Sequence, residues 1–240
     1  MCANCENERI GRRDLMRFAA AGVVALGLTG MSGQARAAEG TPTALSPADA
    51  LAALKSGNER FVSKPELCSI DLAKSRSAVA EHQAPWATIV GCADSRVPPE
   101  LIFGGQGVGE LFIARDAGNL LNIGTLGTIE YGAAVLGSPL IVILAHTACG
   151  AVKAACDVVT KNATYPGAIG PMIEPILPAA LAARGEAGDY VNNTAKKSAQ
   201  RTAARLASAS TLISGLVAAG KLKIGAAIYD LETGVVTHLG

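Results

Sequence analysis

Aromatic residues are scarce in this chain: four Phe, four Tyr and one Trp make up 4% of 240 residues. Its core must therefore be assembled from small aliphatic residues packed closely, and Gly and Ala are abundant. A surplus of either charge is also missing. The formal net charge is +1 and only 17% of residues are charged, so there is no basic field of the kind that gathers nucleic acid or anionic lipid. Half of the residues are apolar, which excludes a disordered chain. Six cysteines are too few for a disulfide scaffold of this length, yet enough for a metal site. The apolar run Phe18–Met31 has 14 residues, short of the roughly 20 a membrane span needs. The length suggests one domain or little more.

What is present begins with an address. Arg12 and Arg13 stand together, the apolar run follows, and Ala35-Arg36-Ala37 supplies an A-x-A cleavage pattern. The combination resembles a bacterial twin-arginine export signal. Residues 1–37 are expected to be removed, leaving a mature domain over 38–240 in the periplasm, with the twin-arginine translocase as a partner during export and no stable membrane anchor. Removal takes five arginines and three acidic residues, so the net charge becomes −1. It also takes Cys2 and Cys5, whose C-x-x-C spacing is then incidental.

In the mature segment, short apolar runs alternate with helical ones. Ser46-Pro47 is a side-chain cap followed by Pro at the first helical position, and predicts a helix to about Phe61. Further helices are expected over Leu72–Glu81, Thr125–Leu136, Cys149–Val159, Pro171–Ala183 (kinked or broken at its prolines) and Asp189–Ala219. Strands are expected at Trp86–Gly91, Leu111–Ala114 and Pro139–Ala145, with a closing pair at Lys223–Leu231 and Val235–Leu239. The pattern predicts an α/β fold with a mostly parallel sheet flanked by helices, the last two strands forming an antiparallel edge.

Chemistry collects where two of these strands end. The first runs into Cys92-Ala93-Asp94-Ser95-Arg96, the strongest into His146-Thr147-Ala148-Cys149. Ligands of open α/β sheets bind beyond the carboxyl ends of strands. If the two strands are neighbours, two thiols and an imidazole converge on one point, a recognised three-ligand set for catalytic zinc with the fourth position open. Thiolates disfavour Mg²⁺ and Ca²⁺; cobalt or iron would also suit the set. Taken singly, a Cys after a buried strand is more often a small core residue, and a lone His a hydrogen-bonded one. The conjunction of C-x-D-x-R with H-x-x-C is far more specific.

These residues resemble the β-class carbonic anhydrases. CADSRVPPE (92–100), GELFIARDAGN (109–119), GTIEYGAAVLG (127–137) and HTACGAV (146–152) carry the resemblance, which spans nearly the whole mature chain. It implies the fold of that family with an N-terminal helical arm, and reversible hydration of CO₂ to bicarbonate and a proton by zinc-bound hydroxide. It implies Zn²⁺ held by Cys92, His146 and Cys149, with Arg96 pairing to Asp94 and holding it off the metal. Asp94 would then accept a hydrogen bond from the zinc-bound water, or serve as an alternative fourth ligand in a closed state. Substrate-pocket positions fall on Gln83, Phe112, Ala117 and Tyr131, partly supplied by a second subunit. A homodimer or higher even oligomer with shared active sites is therefore expected, embraced by the helix from Ser46, with CO₂ and bicarbonate as the small-molecule partners and no nucleic acid.

In carbonic anhydrases whose zinc is held by three histidines, metal-bound water ionises near pH ~7. Two thiolates offset more of the ion's charge, so a preference for neutral-to-alkaline pH is expected here. Asp116 departs from the Asn that many relatives carry. Cys156, seven positions after Cys149, is expected to pack inside, and Cys68 to lie in a loop; a bridge between them would be compatible with an oxidising compartment. His82, beside Gln83, and His238 are more simply read as solvated. The alternatives are hydrolysis of CS₂ or COS on the same zinc site, and a non-catalytic periplasmic zinc-binding protein.

Overall fold

The computed structural model describes residues 41–64, 76–77 and 79–240. The expected export signal with Cys2 and Cys5, Cys68, and half of the helix expected over Leu72–Glu81 lie outside the described residues. In chain order the elements are α1 (Pro47–Ser63), β1 (Ala87–Gly91), α2 (Pro99–Ile102), β2 (Leu111–Arg115), α3 (Ile123–Glu130), β3 (Leu140–His146) and α4 (Gly150–Lys161). There follow α5 (Ile169–Ile173), α6 (Leu177–Ala183), α7 (Tyr190–Ala209), α8 (Thr211–Ala218), β4 (Lys223–Tyr229) and β5 (Val236–His238).

The five strands form one sheet in the order β2-β1-β3-β4-β5. Every pair is parallel except β4 with β5, which is antiparallel. Helices cover both faces, as a parallel sheet requires. That is why β3 is apolar at consecutive positions: Ile141, Ile143 and Ala145 point into one core, and Leu140, Val142 and Leu144 into the other. All seven residues of β3 are buried. The sheet order reverses direction between β1 and β3, the place where α/β sheets open a crevice at their carboxyl ends.

α1 begins as its sequence predicts: the Ser46 side chain accepts from the Asp49 backbone N–H at 3.2 Å, with Pro47 in the first turn. The expected arm lies on its own sheet, where Ala50 and Leu54 are fully buried beside Ile102, Phe103, Leu140 and Val142. Two residues explain the placement. A Cβ on Gly57 would stand 2.0 Å from the Phe103 carbonyl oxygen, so only Gly allows this approach. Next to it, the Asn58 amide donates to the Ile102 and Gly234 carbonyls at 3.1 and 2.8 Å and accepts from Val236 N–H at 2.8 Å, tying α1 to the edge strand.

Three expectations change. The long helix over Asp189–Ala219 is two helices, parted at Ser210, whose backbone is extended (φ −133°, ψ 121°) and whose side chain caps α8 through Ile213 N–H. The helix expected to end at Leu136 widens into a π-helix over Tyr131–Val135. The short α2, started by Pro99, was not among the expected elements. The proline-rich stretch does break, into α5, a 3₁₀ turn at Glu174–Ile176 and α6. Among the described residues, no helix is long and apolar enough to cross a membrane.

Candidate metal centre

β1 and β3 are direct neighbours, paired Gly91 to Leu144 at their carboxyl ends. Cys92 leaves β1, His146 is the last residue of β3, and Cys149 stands at the N-cap of α4 without using its thiol as a cap. The three donor atoms lie within 4.8 Å of one another, and all three residues are buried. The two sulfurs are 4.0 Å apart and both thiols are free. Tetrahedral ligation with metal–sulfur bonds of roughly 2.3 Å would set them about 3.8 Å apart. The separation therefore suits a shared ion and is twice too long for a disulfide.

His146 carries the sharpest sign of a ligand. Its Nδ1 lies 2.9 Å from the Thr147 carbonyl oxygen, an arrangement that puts the ring proton on Nδ1 and leaves the Nε2 lone pair free. Nε2 is buried with no hydrogen-bond partner. A buried, unpaired nitrogen is costly, and a cation between the two sulfurs would satisfy it.

Electrostatics fit the same reading. Cys92 is pushed down to about 4, first by the hydrogen bond from the Cys149 thiol and further by His146 and the Gly118 and Asp94 amides, against the opposing effect of burial. Those amides reach its sulfur at 3.3 and 3.4 Å. Cys149 is driven well up by that same bond, by burial and by the charge on Cys92. The pair shares one proton, which a bound cation would displace. Gly118 can serve Cys92 only as glycine: its φ is +84°, and a Cβ there would meet the Ile176 side chain at 3.0 Å.

Asp94 stands beside the group and outside it. Arg96 grips its carboxylate as a fork, Nε to Oδ1 at 3.0 Å and Nη2 to Oδ2 at 2.7 Å, and the Arg96 backbone N–H adds a bond to Oδ1 at 2.9 Å. Arg96 is the main reason the Asp94 carboxyl is held far below the usual carboxylate range. Oδ2 is 3.8 Å from His146 Nε2, so the carboxylate faces the donor cluster while committed to Arg96.

The remaining sequence-designated residues are not among the donor atoms. The Phe112 and Tyr131 rings pack in a tilted arrangement, 6.1 Å between centroids and 33° between planes. Gln83 and Tyr131 line a cavity of about 410 Å³ together with His82, Val108 and Leu136, and its walls include none of Cys92, His146 or Cys149. Ala117 is half-buried next to Gly118. Asp116 is held by the Thr125 hydroxyl and the Asn122 amide. Cys156 is a buried free thiol on α4, 3.4 Å from the Thr194 hydroxyl, and His238 is half-buried on β5.

One residue of the site escaped sequence reading. Arg115, at the end of β2, donates Nε–H to the Cys92 carbonyl at 2.8 Å and Nη2–H to the Asp94 carbonyl at 2.6 Å. It clasps the loop that carries both residues. In the sequence it stands within GELFIARDAGN (109–119) at the end of an expected strand, with nothing to mark this role.

Comparison with known proteins points one way. A family model described as carbonic anhydrase matches residues 87–236. Carbonic anhydrase 2 of Mycobacterium tuberculosis is 38% identical over 188 residues, covering 78% of this chain and 90% of that protein. The carbonic anhydrase of Mycolicibacterium smegmatis is 36% identical over 197 residues, covering 81% and 95%. Among solved structures, the Coccomyxa β-carbonic anhydrase in complex with acetazolamide superposes with a TM-score of 0.61 at 25% identity, covering 82% of this chain and 87% of that one. A tetrameric β-carbonic anhydrase from Sordaria macrospora gives a TM-score of 0.61 at 24% identity, with coverage of 80% and 96%.

Proposed function

The chain belongs to the β-class carbonic anhydrases, and from that premise we propose that it hydrates CO₂ reversibly at a zinc ion held by Cys92, His146 and Cys149. The observation that carries this reading is the buried, unpartnered His146 Nε2 within reach of two free thiols.

A zinc ion held there supplies Lewis acidity, bringing the ionisation of water toward the physiological range. The chain supplies the rest. Two thiolates balance a divalent charge, so the centre is neutral overall and suits a neutral substrate. The Thr147 carbonyl keeps the His146 ring turned so that Nε2 faces the cluster. Arg96 keeps Asp94 ionised and engaged, so its carboxylate accepts a hydrogen bond from the reacting water and turns a water lone pair toward the carbon of CO₂. Carbon dioxide and water yield bicarbonate and one proton, which leaves to buffer.

Gln83, Phe112, Ala117 and Tyr131 are assigned to the CO₂ pocket. Since the cavity that Gln83 and Tyr131 line is separate from the metal group of the same chain, a homodimer or higher even oligomer would complete each site with residues of a second subunit. The 38% exposure of Tyr131 supports that assignment. The Arg12-Arg13 pair and the Ala35-Arg36-Ala37 pattern support export through the twin-arginine translocase to the periplasm, with residues 38–240 as the mature domain.

The test is stopped-flow hydration of CO₂ at pH 8.5 by the purified mature protein, beside sulfide release from COS and CS₂. Fast hydration with little sulfide release is expected. Sulfide release as the dominant activity would replace the proposal with a hydrolase, and bound zinc with neither activity would make the protein a zinc binder only.

A further inference from the structure

The loop between His146 and Cys149 holds a strained residue. Ala148 has φ +52°, a left-handed conformation that is strained for a side chain with a Cβ and persists only where its surroundings enforce it. This conformation turns the chain from the end of β3 into α4, and so sets where the Cys149 sulfur stands relative to His146. What enforces it comes from 44 residues further along: Asn192 Oδ1 accepts the Ala148 backbone N–H at 3.1 Å.

Asn192 is itself held firmly. It lies in the first turn of α7, where Asp189 caps its backbone N–H at 2.7 Å. On either side, Tyr190 donates its hydroxyl to the Ala180 carbonyl at 2.8 Å, and the Asn193 amide donates to the Ala187 carbonyl at 2.9 Å. The first turn of α7 is thus fixed to α6 and to the loop before it, and offers Ala148 an acceptor at a set place. Its side-chain oxygen bonds the backbone of Ala148, between His146 and Cys149, rather than any of the three donor atoms.

We propose that Asn192 is a positioning residue: its side-chain oxygen holds Ala148 in the left-handed conformation that presents Cys149 to the metal. The inference rests on the zinc reading of the Cys92–His146–Cys149 group and adds a residue to the machinery that shapes it.

The experiment is a double-mutant cycle on the mature protein, read by competition for Zn²⁺ against a chromogenic chelator and by the absorption spectrum of the Co²⁺-loaded form. Asn192→Ala should weaken metal binding about three- to tenfold and alter the cobalt bands, while the far-ultraviolet dichroism of the metal-free protein stays unchanged. Asn192→Asp, which keeps an acceptor oxygen, should restore both readouts. In an Ala148→Gly background, where left-handed backbone is unstrained, Asn192→Ala should have less than half of that effect. Equal loss with and without the Ala148→Gly substitution, or unchanged metal affinity and spectrum in Asn192→Ala, would overturn the proposal while leaving the zinc reading intact. A wild-type chain that binds no metal would overturn both.

Discussion

Asp94 and Arg96 are two residues apart, and their fork leaves the carboxylate with both oxygens engaged and one edge toward His146. Replacing Asp94 with Asn keeps the shape and removes the charge that Arg96 grips. Asp94→Asn should keep one metal per chain and lose roughly 10²-fold in hydration rate, the scale of a positioned proton-handling group; full activity would reject the assigned role. Arg115 acts on the same loop from behind, through backbone carbonyls. Arg115→Leu should cost about 1.5 kcal/mol in urea denaturation, at the low end for bonds to a charged group because Arg115 is exposed. Arg115→Lys should recover only part of the loss, since an ammonium cannot span both carbonyls as a fork. Full recovery in the Lys variant would show that charge alone matters. The contrast between these residues also explains what was legible. Asp94, Arg96 and the Cys–His set carry their chemistry in side chains at fixed spacing, so a linear pattern reveals them. Arg115 and Asn192 bind peptide groups, which every residue has, so no spacing marks their roles.

Elements were legible where burial is two-sided. β1 and β3 are apolar at successive positions because each lies between two cores, and the direct pairing of β1 with β3, left open by the sequence, is what makes the metal group local. The break between α7 and α8 was hidden because Ala-rich helical sequence lies on both sides of Ser210, and Ser inside a helix is unremarked. Its cap is completed by Glu130, 80 residues away, whose carboxylate accepts the Ser210 hydroxyl at 2.5 Å. Ser210→Ala removes a helix cap and one partner of Glu130 together. It should lower stability by about 1 kcal/mol, measured by urea denaturation. A stability equal to wild type would mean that the junction between α7 and α8 is held by packing alone.

For the whole molecule, folding and ionisation are linked through β5. Burial, aided by Lys55 and Lys223, holds His238 below its ordinary value. The unfolded chain therefore takes up the proton first as pH falls below about 6.5. Stability is unaffected by His238 above that pH and declines below it, until the folded form is protonated as well. His238→Gln should flatten the stability profile below about pH 6.5, measured by denaturation at each pH; an unchanged slope would remove His238 as its source. The metal acts at the same scale, because a ligand that binds only the folded chain adds about 2.7 kcal/mol at 100 times its dissociation constant. The central claim, that hydration depends on an ion at Cys92, His146 and Cys149, is tested most directly by one titration. The purified protein is stripped of metal, zinc is returned in steps, and CO₂ hydration is followed by stopped flow against bound zinc per chain. The account predicts no activity without metal and a linear rise that saturates at one zinc per chain, absent in Cys149→Ala. Hydration by the stripped protein, or full activity in Cys149→Ala, would contradict it.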